Sequence, residues 1–249
     1  MKITKGKKIK PLALLVYGVH GIGKTHFPSE ANKPIYMGSE ENDEIDADRL
    51  PQIVKWSDFL NQLEWLLKEG HQEYKTLVID TIDMLEQVAQ HHILMDYPTK
   101  TMETAFGGYG KAYKQMAKMF LGVRDNYLKK LRDEKGMNII LLAHAEKTKH
   151  EDPITGESYD NYNTSIDKRV KAIFHDWVSG IFFINWELYK SENSEGKERL
   201  KGDGARVIYT QERPSHIAKN RFELPEMIEY NKEGTYKEIV ELIKKHYQK

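Results

Sequence analysis

Apolar residues along the chain fall into two rhythms. Short, nearly unbroken apolar runs occur at 12–17, 35–37, 76–79, 138–143, 178–185 and 205–209. Their length and their content of Val, Ile, Leu and aromatic residues predict strands buried on both faces. Between them, 56–69, 84–95, 111–135 and 166–175 repeat apolar residues at intervals of three and four, which predicts helices with one buried stripe. Alternation of the two patterns predicts an α/β fold, a largely parallel central sheet with helices on both faces. The connection 187–204 is polar and contains glycine. It is too poor in apolar residues for a crossover helix, so a hairpin and an antiparallel extension of the sheet near the C-terminus are expected. Tyr236, Ile239, Val240, Ile243 and Tyr247 recur at helical spacing, so 235–247 should dock as a final helix. No internal repeat is evident, and 249 residues with 39% hydrophobic content suit one domain over the whole chain.

The first strand run breaks into Gly18-Val19-His20-Gly21-Ile22-Gly23-Lys24-Thr25, the spacing of a phosphate-binding P-loop. Glycines are needed because a backbone wrapping a polyphosphate takes turns that side chains obstruct, leaving consecutive N–H groups pointed inward. Lys24 supplies charge for the β- and γ-phosphates, Thr25 a hydroxyl for Mg2+, and the loop from Gly18 to His26 forms the nucleotide cradle, with a nucleotide polyphosphate and Mg2+ expected there. The helix that follows should aim its positive end at the anion, although Pro28 makes it short.

Other residues acquire meaning from this loop. The run 76–79 ends in Asp80, an acid delivered to the carboxyl edge of the sheet, where it can hold Mg2+ directly or through water. Asp83 is the substitute three residues beyond. The run 35–37 delivers Glu40 and Glu41 to the same edge, and one of them, with Glu40 preferred, is the candidate base for an attacking water. Acids continue at Asp43, Glu44, Asp46 and Asp48, so a plain acidic loop is the alternative. His144 follows five apolar residues and is placed to sense the γ-phosphate, or to pair with local backbone. Lys219 and Arg221 stand two residues apart, so on an extended segment both point to one side. That would suit cationic fingers entering a neighbouring subunit's nucleotide pocket, or simply a solvated basic turn.

Charge adds little direction, since 38 basic residues balance 38 acidic ones and any nucleic-acid contact must be local. The first ten residues, with five lysines, read as a basic arm. The absence of cysteine excludes disulfide and thiolate chemistry and fits a reducing compartment. No signal peptide or membrane span is expected, so the chain should be cytoplasmic and without a membrane partner. His91 and His92 are adjacent and point apart on a helix, so Mg2+ is the only metal expected.

The order of these parts resembles the RecA-like ATPases, and specifically the short phage RecA-like single-strand annealing and recombination proteins that consist of the ATPase core alone. The resemblance runs from about residue 12 to 225. It rests on Gly18 to Thr25, Glu40-Glu41 after a strand, Val78-Ile79-Asp80-Thr81, Gly107-Gly108-Tyr109-Gly110, Leu141-Leu142-Ala143-His144 and Ala218-Lys219-Asn220-Arg221. It implies a RecA-like P-loop NTPase core and an ATP-dependent protein that binds single-stranded DNA and assembles into a ring or filament with ATP between subunits. Lys24, Thr25 and Asp80 would then bind phosphate and metal, Glu40 or Glu41 would activate water, His144 would couple the γ-phosphate to DNA, and Lys219 and Arg221 would act in trans. His144 stands where RecA itself has glutamine, and no separate N-terminal DNA-binding or oligomerisation domain is visible, so annealing or a helper role fits better than strand exchange. A phage-encoded chain would work in the host cytoplasm, with a single-strand DNA-binding protein as a candidate partner.

Two segments occupy the places of the family's DNA loops. The first, 96–113, offers Lys100, Phe106, Tyr109, Lys111 and Tyr113 among glycines, combining stacking faces, cations and backbone freedom. The second, 146–171, offers Lys147, Lys149, Lys168, Arg169 and Lys171, with acids that bring its net charge close to zero. Aromatics in either could instead pack under a loop. Two other functions remain open: a small P-loop nucleotide or metabolite kinase, and a nucleotide-gated binding module that does not hydrolyse ATP.

Overall fold

Every apolar run named above becomes a strand of one sheet. The computed structural model describes residues 9–39, 45–152, 154–192, 198–202 and 204–248. In chain order the elements are β1 (Ala13–Gly18), a 3₁₀ turn at Phe27–Glu30, β2 (Pro34–Gly38), β3 (Asp48–Arg49), α1 (Trp56–Lys68), β4 (Thr76–Asp80), α2 (Ile82–Leu94), α3 (Lys111–Val123), a π turn at Arg124–Leu128 and α4 (Lys129–Asp133). There follow β5 (Asn138–Glu151), β6 (Ser158–Thr164), α5 (Lys168–Trp177), β7 (Gly180–Trp186), β8 (Tyr189–Glu192), β9 (Glu198–Lys201), β10 (Arg206–Tyr209), β11 (Lys219–Asn220), β12 (Met227–Glu229) and α6 (Thr235–Gln248).

The main path through the sheet is β12-β10-β7-β1-β5-β4-β2-β3, with β6 added to β5 and β11 to β7. From β7 to β3 the strands are parallel, whereas β10 and β11 pair antiparallel with β7 and β12 pairs antiparallel with β10. The expected antiparallel extension is therefore present, and 187–204 carries the two-stranded hairpin β8-β9. β1 sits mid-sheet with Ala13 to Tyr17 wholly buried. Its last residue, Gly18, is in register with His144 on one side and Ile184 on the other.

Successive residues of β1 feed opposite cores, as strand geometry requires. Ala13, Leu15 and Tyr17 join Trp56, Phe59, Leu85, Phe120 and Phe174 from the helices α1, α2, α3 and α5. Leu14 and Val16 join Phe27, Phe182, Ile208, Tyr236, Ile239 and Ile243. Helices thus cover both faces, but unequally: one face carries α1 to α5, the other α6 and the 3₁₀ turn.

Three local expectations need correction. The helix after the P-loop is a single four-residue 3₁₀ turn with proline at its start, so a full helix dipole does not act on the loop. Helix 111–135 is interrupted by the π turn. Residues 146–164 are not an open loop: β5 runs on past His144 and pairs with β6 from Ala145↔Thr164 to Glu151↔Ser158. That extension, Ala145 to Glu151, consists of charged and polar residues after its first position and so gives no apolar run to read. Among the described residues no helix is long and apolar enough to cross a membrane.

Candidate functional site

The P-loop leaves β1 at Gly18, where an added Cβ would lie 2.4 Å from the Ile184 carbonyl oxygen. Glycine is required there because β7 passes too close for any side chain. The loop's carbonyls are tied from outside by side chains of three strand regions. Arg206 Nη1 donates to the Ile22 carbonyl at 3.0 Å, Tyr230 Oη to that of Gly23 at 2.7 Å, and Tyr36 Oη to that of Thr25 at 2.8 Å. In a planar trans peptide the following N–H points the other way, so anchoring Ile22 and Gly23 turns the N–H groups of Gly23 and Lys24 away from the buttress. These bonds do the orienting that a longer helix would otherwise share. Lys24 is buried, with Nζ donating to the Val19 carbonyl at 2.9 Å.

A cavity of about 330 Å3 opens over this loop and is lined by His20, Gly21, Gly23, Lys24, Thr25 and His26 together with Ile45, Asp80, His144, Trp186, Arg206 and Lys232. Asp80 ends β4 and is 4% exposed. β5 lies between β4 and β1, so Asp80 is one strand further from the loop than a direct neighbour, yet it reaches the same cavity. The donor set fits Mg2+: one carboxylate and one hydroxyl, from Asp80 and Thr25, suit a hard cation that keeps water and phosphate oxygens as its other ligands. When bound it would neutralise charge on the phosphates. The described residues contain no cluster of three or more His, Asp or Glu able to hold a metal without such help.

His144 is not a strand-end residue with a backbone partner. Its backbone N–H donates to Asp83 Oδ1 at 2.9 Å and its ring Nδ1 lies 2.7 Å from Oδ2. Burial pushes the Asp83 carboxyl up, but the side-chain and backbone hydrogen bonds of His144 outweigh it and hold Asp83 below the usual carboxylate range. An ionised carboxylate only accepts, so Nδ1 carries the proton and Nε2 is left for the cavity side. The ring stacks on His20 of the P-loop at 3.9 Å between centroids. Asp83 is thereby committed to His144 rather than standing in for Asp80. One turn along α2, buried Glu86 accepts from the Asp167 N–H with both oxygens at 3.0 Å. Its carboxyl is pushed up to about 8 by burial first, against the opposing Asp167 hydrogen bond.

Lys219, Arg221 and the candidate DNA residues lie apart from the cavity. Glu40 and Glu41 fall outside the described residues. Lys219 opens β11 and Arg221 follows it; the strand pairs with the start of β7 (Lys219↔Ile181), the edge of the sheet opposite the P-loop. Lys219 Nζ donates to the carbonyls of His175 and Asp176 at the end of α5, and burial, then the charge of Arg221, holds it below the usual lysine range. Arg221 is exposed. Within one chain neither reaches the cavity.

The candidate DNA residues divide. Tyr109 is 93% exposed, Phe106 packs at a tilt against Tyr97 with 4.7 Å between ring centroids, and Lys100 and Lys111 are exposed on the same segment. Arg169 lies over the Tyr113 ring at 5.5 Å and pairs with Asp167, so the start of α5, with Lys168, adjoins this segment. Lys147 and Lys149 instead sit on the β5-β6 hairpin, where Lys147 pairs with Asp160. There Glu146, Glu151, Asp152, Glu157 and Asp160 outnumber the two lysines, which disfavours a phosphate backbone.

Sequence reasoning missed Trp186, Arg206, Tyr230 and Lys232. A usable signal existed for the first two: antiparallel pairing of the two last predicted strands places the end of one opposite the start of the other, observed as Arg206↔Trp186. Tyr230 and Lys232 follow the short β12, which carries no apolar run.

A family model described as an AAA domain matches residues 10–222. Among curated proteins, the chain is 24% identical over 260 residues to the SPbeta prophage-derived uncharacterized protein YorG of Bacillus subtilis (strain 168), covering 99% of this chain and 70% of that protein. A match of such length, across a sheet whose central strand opens into the phosphate loop, means that this chain belongs to the AAA_24 family of AAA-domain P-loop ATPases.

Proposed function

We propose that the protein is a Mg2+-dependent ATPase that binds single-stranded DNA and works as an oligomer in phage recombination or annealing. The ATPase part is supported by the convergence of Lys24, Thr25, Asp80 and His144 on one cavity. In this reading Lys24 binds the β- and γ-phosphates, Thr25 and Asp80 hold the metal, Glu40 or Glu41 activates water, and His144 senses the terminal phosphate through Nε2. The prophage origin of the YorG relative supports a phage setting. Lys219 and Arg221, on the far edge of the sheet, would act only on a neighbouring subunit's nucleotide, which ties hydrolysis to assembly.

The observation that carries the DNA part is the backbone around Tyr109. Phe106, Gly107, Gly108, Tyr109 and Gly110 all have positive φ, from 55° to 81°. The left-handed region costs a non-glycine residue of order 1–3 kcal/mol. Tyr109 recovers none of it by burial, since its ring is 93% exposed. An aromatic held out at a conformational cost, beside Lys111, Lys168 and Arg169, is suited to stack on an unpaired base. The nucleotide side and this segment share supports: α2 carries Asp83, which holds His144, and Glu86, which holds the Asp167 cap of α5.

The test is the steady-state ATPase rate with and without single-stranded DNA, using Lys24→Ala as the blank. Stimulation by DNA that is lost in the blank and in Tyr109→Ala is expected. Hydrolysis indifferent to DNA, with no DNA retained in a non-hydrolysable nucleotide, would overturn the DNA reading and turn attention to small phosphate acceptors.

A further inference from the structure

The cavity over the P-loop has two unlike ends, and only one is explained by phosphate chemistry. Asp80 and His144, on β4 and β5, mark the metal and terminal-phosphate end. Trp186 and Arg206, on β7 and β10, line the opposite end, with Lys232 beside them. From β5 across β1 and β7 to β10 is three strand steps, roughly 14 Å at the usual spacing, a span of the order of an extended nucleoside triphosphate. A polyphosphate whose terminal group lies at Asp80 must therefore leave its nucleoside at the Trp186 end.

Trp186 is unusual among the aromatics at this edge because its ring stays open. It is 41% exposed, whereas Tyr230 is buried. The Arg206 guanidinium stands 5.6 Å from the Trp186 ring centroid and 5.7 Å from that of Tyr230, and the same guanidinium is tied to the Ile22 carbonyl. The indole is thus held in fixed relation to the P-loop. It also walls an adjoining groove of about 530 Å3, lined with Val19, Asn185 and Leu188, a volume within the range of small-ligand sites.

We propose that Trp186 is the stacking platform for the nucleobase, with Arg206 bracing the indole against the P-loop and the groove beyond Val19 and Leu188 receiving the base. This subsite rests on the nucleotide-binding reading above and extends it to the base. Stacking accepts any base, since each has a π face, so affinity follows ring size, purine above pyrimidine, rather than a strict choice of one base.

The experiment titrates the full chain calorimetrically with Mg-ATP and with Mg-tripolyphosphate, which has the phosphates but no base, comparing wild type, Trp186→Ala and Trp186→Phe. Expected is a roughly 5- to 150-fold loss of ATP affinity in Trp186→Ala, the loss that follows removal of an aromatic stacked on a base. Tripolyphosphate affinity should be unchanged, and Trp186→Phe should recover most of the ATP affinity. ATP, but not tripolyphosphate, should also quench a component of tryptophan emission that Trp186→Phe lacks. Equal ATP affinity in wild type and Trp186→Ala overturns the proposal. Parallel loss of both ligands overturns it too, since Trp186 would then only support the loop. A wild-type protein that binds tripolyphosphate no more weakly than ATP refutes the base subsite alone, whereas one that binds neither refutes nucleotide binding itself.

Discussion

Glu86→Gln should make the protein less sensitive to alkaline pH, by an amount the surroundings of Glu86 determine. The carboxyl is 6% exposed, and its pKa is raised from 4.5 to about 8. Burial is the main cause; the Asp167 N–H and Lys171 oppose it, and the charges of Asp167 and Asp83 add to it. Between these two values the folded chain holds a proton that the unfolded chain has released, so stability falls as pH rises and the full penalty is present above about 8. His175 acts in the opposite sense. Burial lowers its pKa from 6.5 to about 4, so the unfolded chain binds the extra proton there and stability rises with pH across that interval. Between pH 6.5 and 8 the Glu86 contribution is left largely alone and amounts to about 1.5–2 kcal/mol. Gln keeps an oxygen to accept from the Asp167 N–H and cannot ionise. Urea unfolding at pH 6.5 and at pH 8 is the assay. Wild type should lose about 1.5–2 kcal/mol more than Glu86→Gln over that interval, and parallel pH profiles for the two proteins would refute the assignment.

Three further substitutions probe the site. Gly23→Ala places a Cβ 3.0 Å from Arg206 Nη1 and 3.1 Å from the Tyr230 ring at a φ of +105°; it should cost about 1–3 kcal/mol of strain and weaken nucleotide binding in a calorimetric titration. Tyr230→Phe removes the 2.7 Å bond to the Gly23 carbonyl. The expected loss is about 0.5–1.5 kcal/mol, seen as a fall in Tm of a few degrees. Asp83→Asn takes the charge from the His144 Nδ1 partner, and loss of a charge-assisted bond of about 1.5–3 kcal/mol should slow ATP turnover about ten- to a hundredfold. Steady-state kinetics should place that loss in kcat rather than in KM.

The sheet was legible because burial on both faces leaves a continuous apolar signal, as in the runs that became β1, β4, β5 and β7. The P-loop was legible because its chemistry is local in sequence. Asp80 followed from a strand that ends in an acid. The His144–Asp83 pair was not readable, because it joins residues 61 apart through the packing of α2 on β5. The hairpin beyond His144 escaped because its strands are held by a backbone ladder and alternate polar side chains, with only Asn161 and Thr164 of β6 buried. The acids near Lys147 and Lys149 were visible in the sequence, but only the ladder places them on one hairpin with the lysines and pairs Lys147 with Asp160.

The second core explains why a P-loop with so short a following helix keeps its shape. That helix is a single four-residue turn with Pro28 at its start and extended backbone at Ala31 after it, and a loop left without a longer helix would lose both packing and orientation. Tyr236 of α6 meets Phe27 at 5.3 Å, and Tyr230 meets it at 6.2 Å. Both therefore pack on the turn that a longer helix would have continued. Tyr230 also holds the Gly23 carbonyl, and Arg206 that of Ile22. Glu30 of the turn accepts from the Gly234 N–H at 2.8 Å and pairs with Lys237 at the start of α6. Tyr230, Gly234, Tyr236 and Lys237 all lie beyond the family match at 10–222. The loop that defines the family is thus braced in this chain by residues the family model does not reach, so the rigidity of the nucleotide cradle depends on α6 as much as on the P-loop pattern itself.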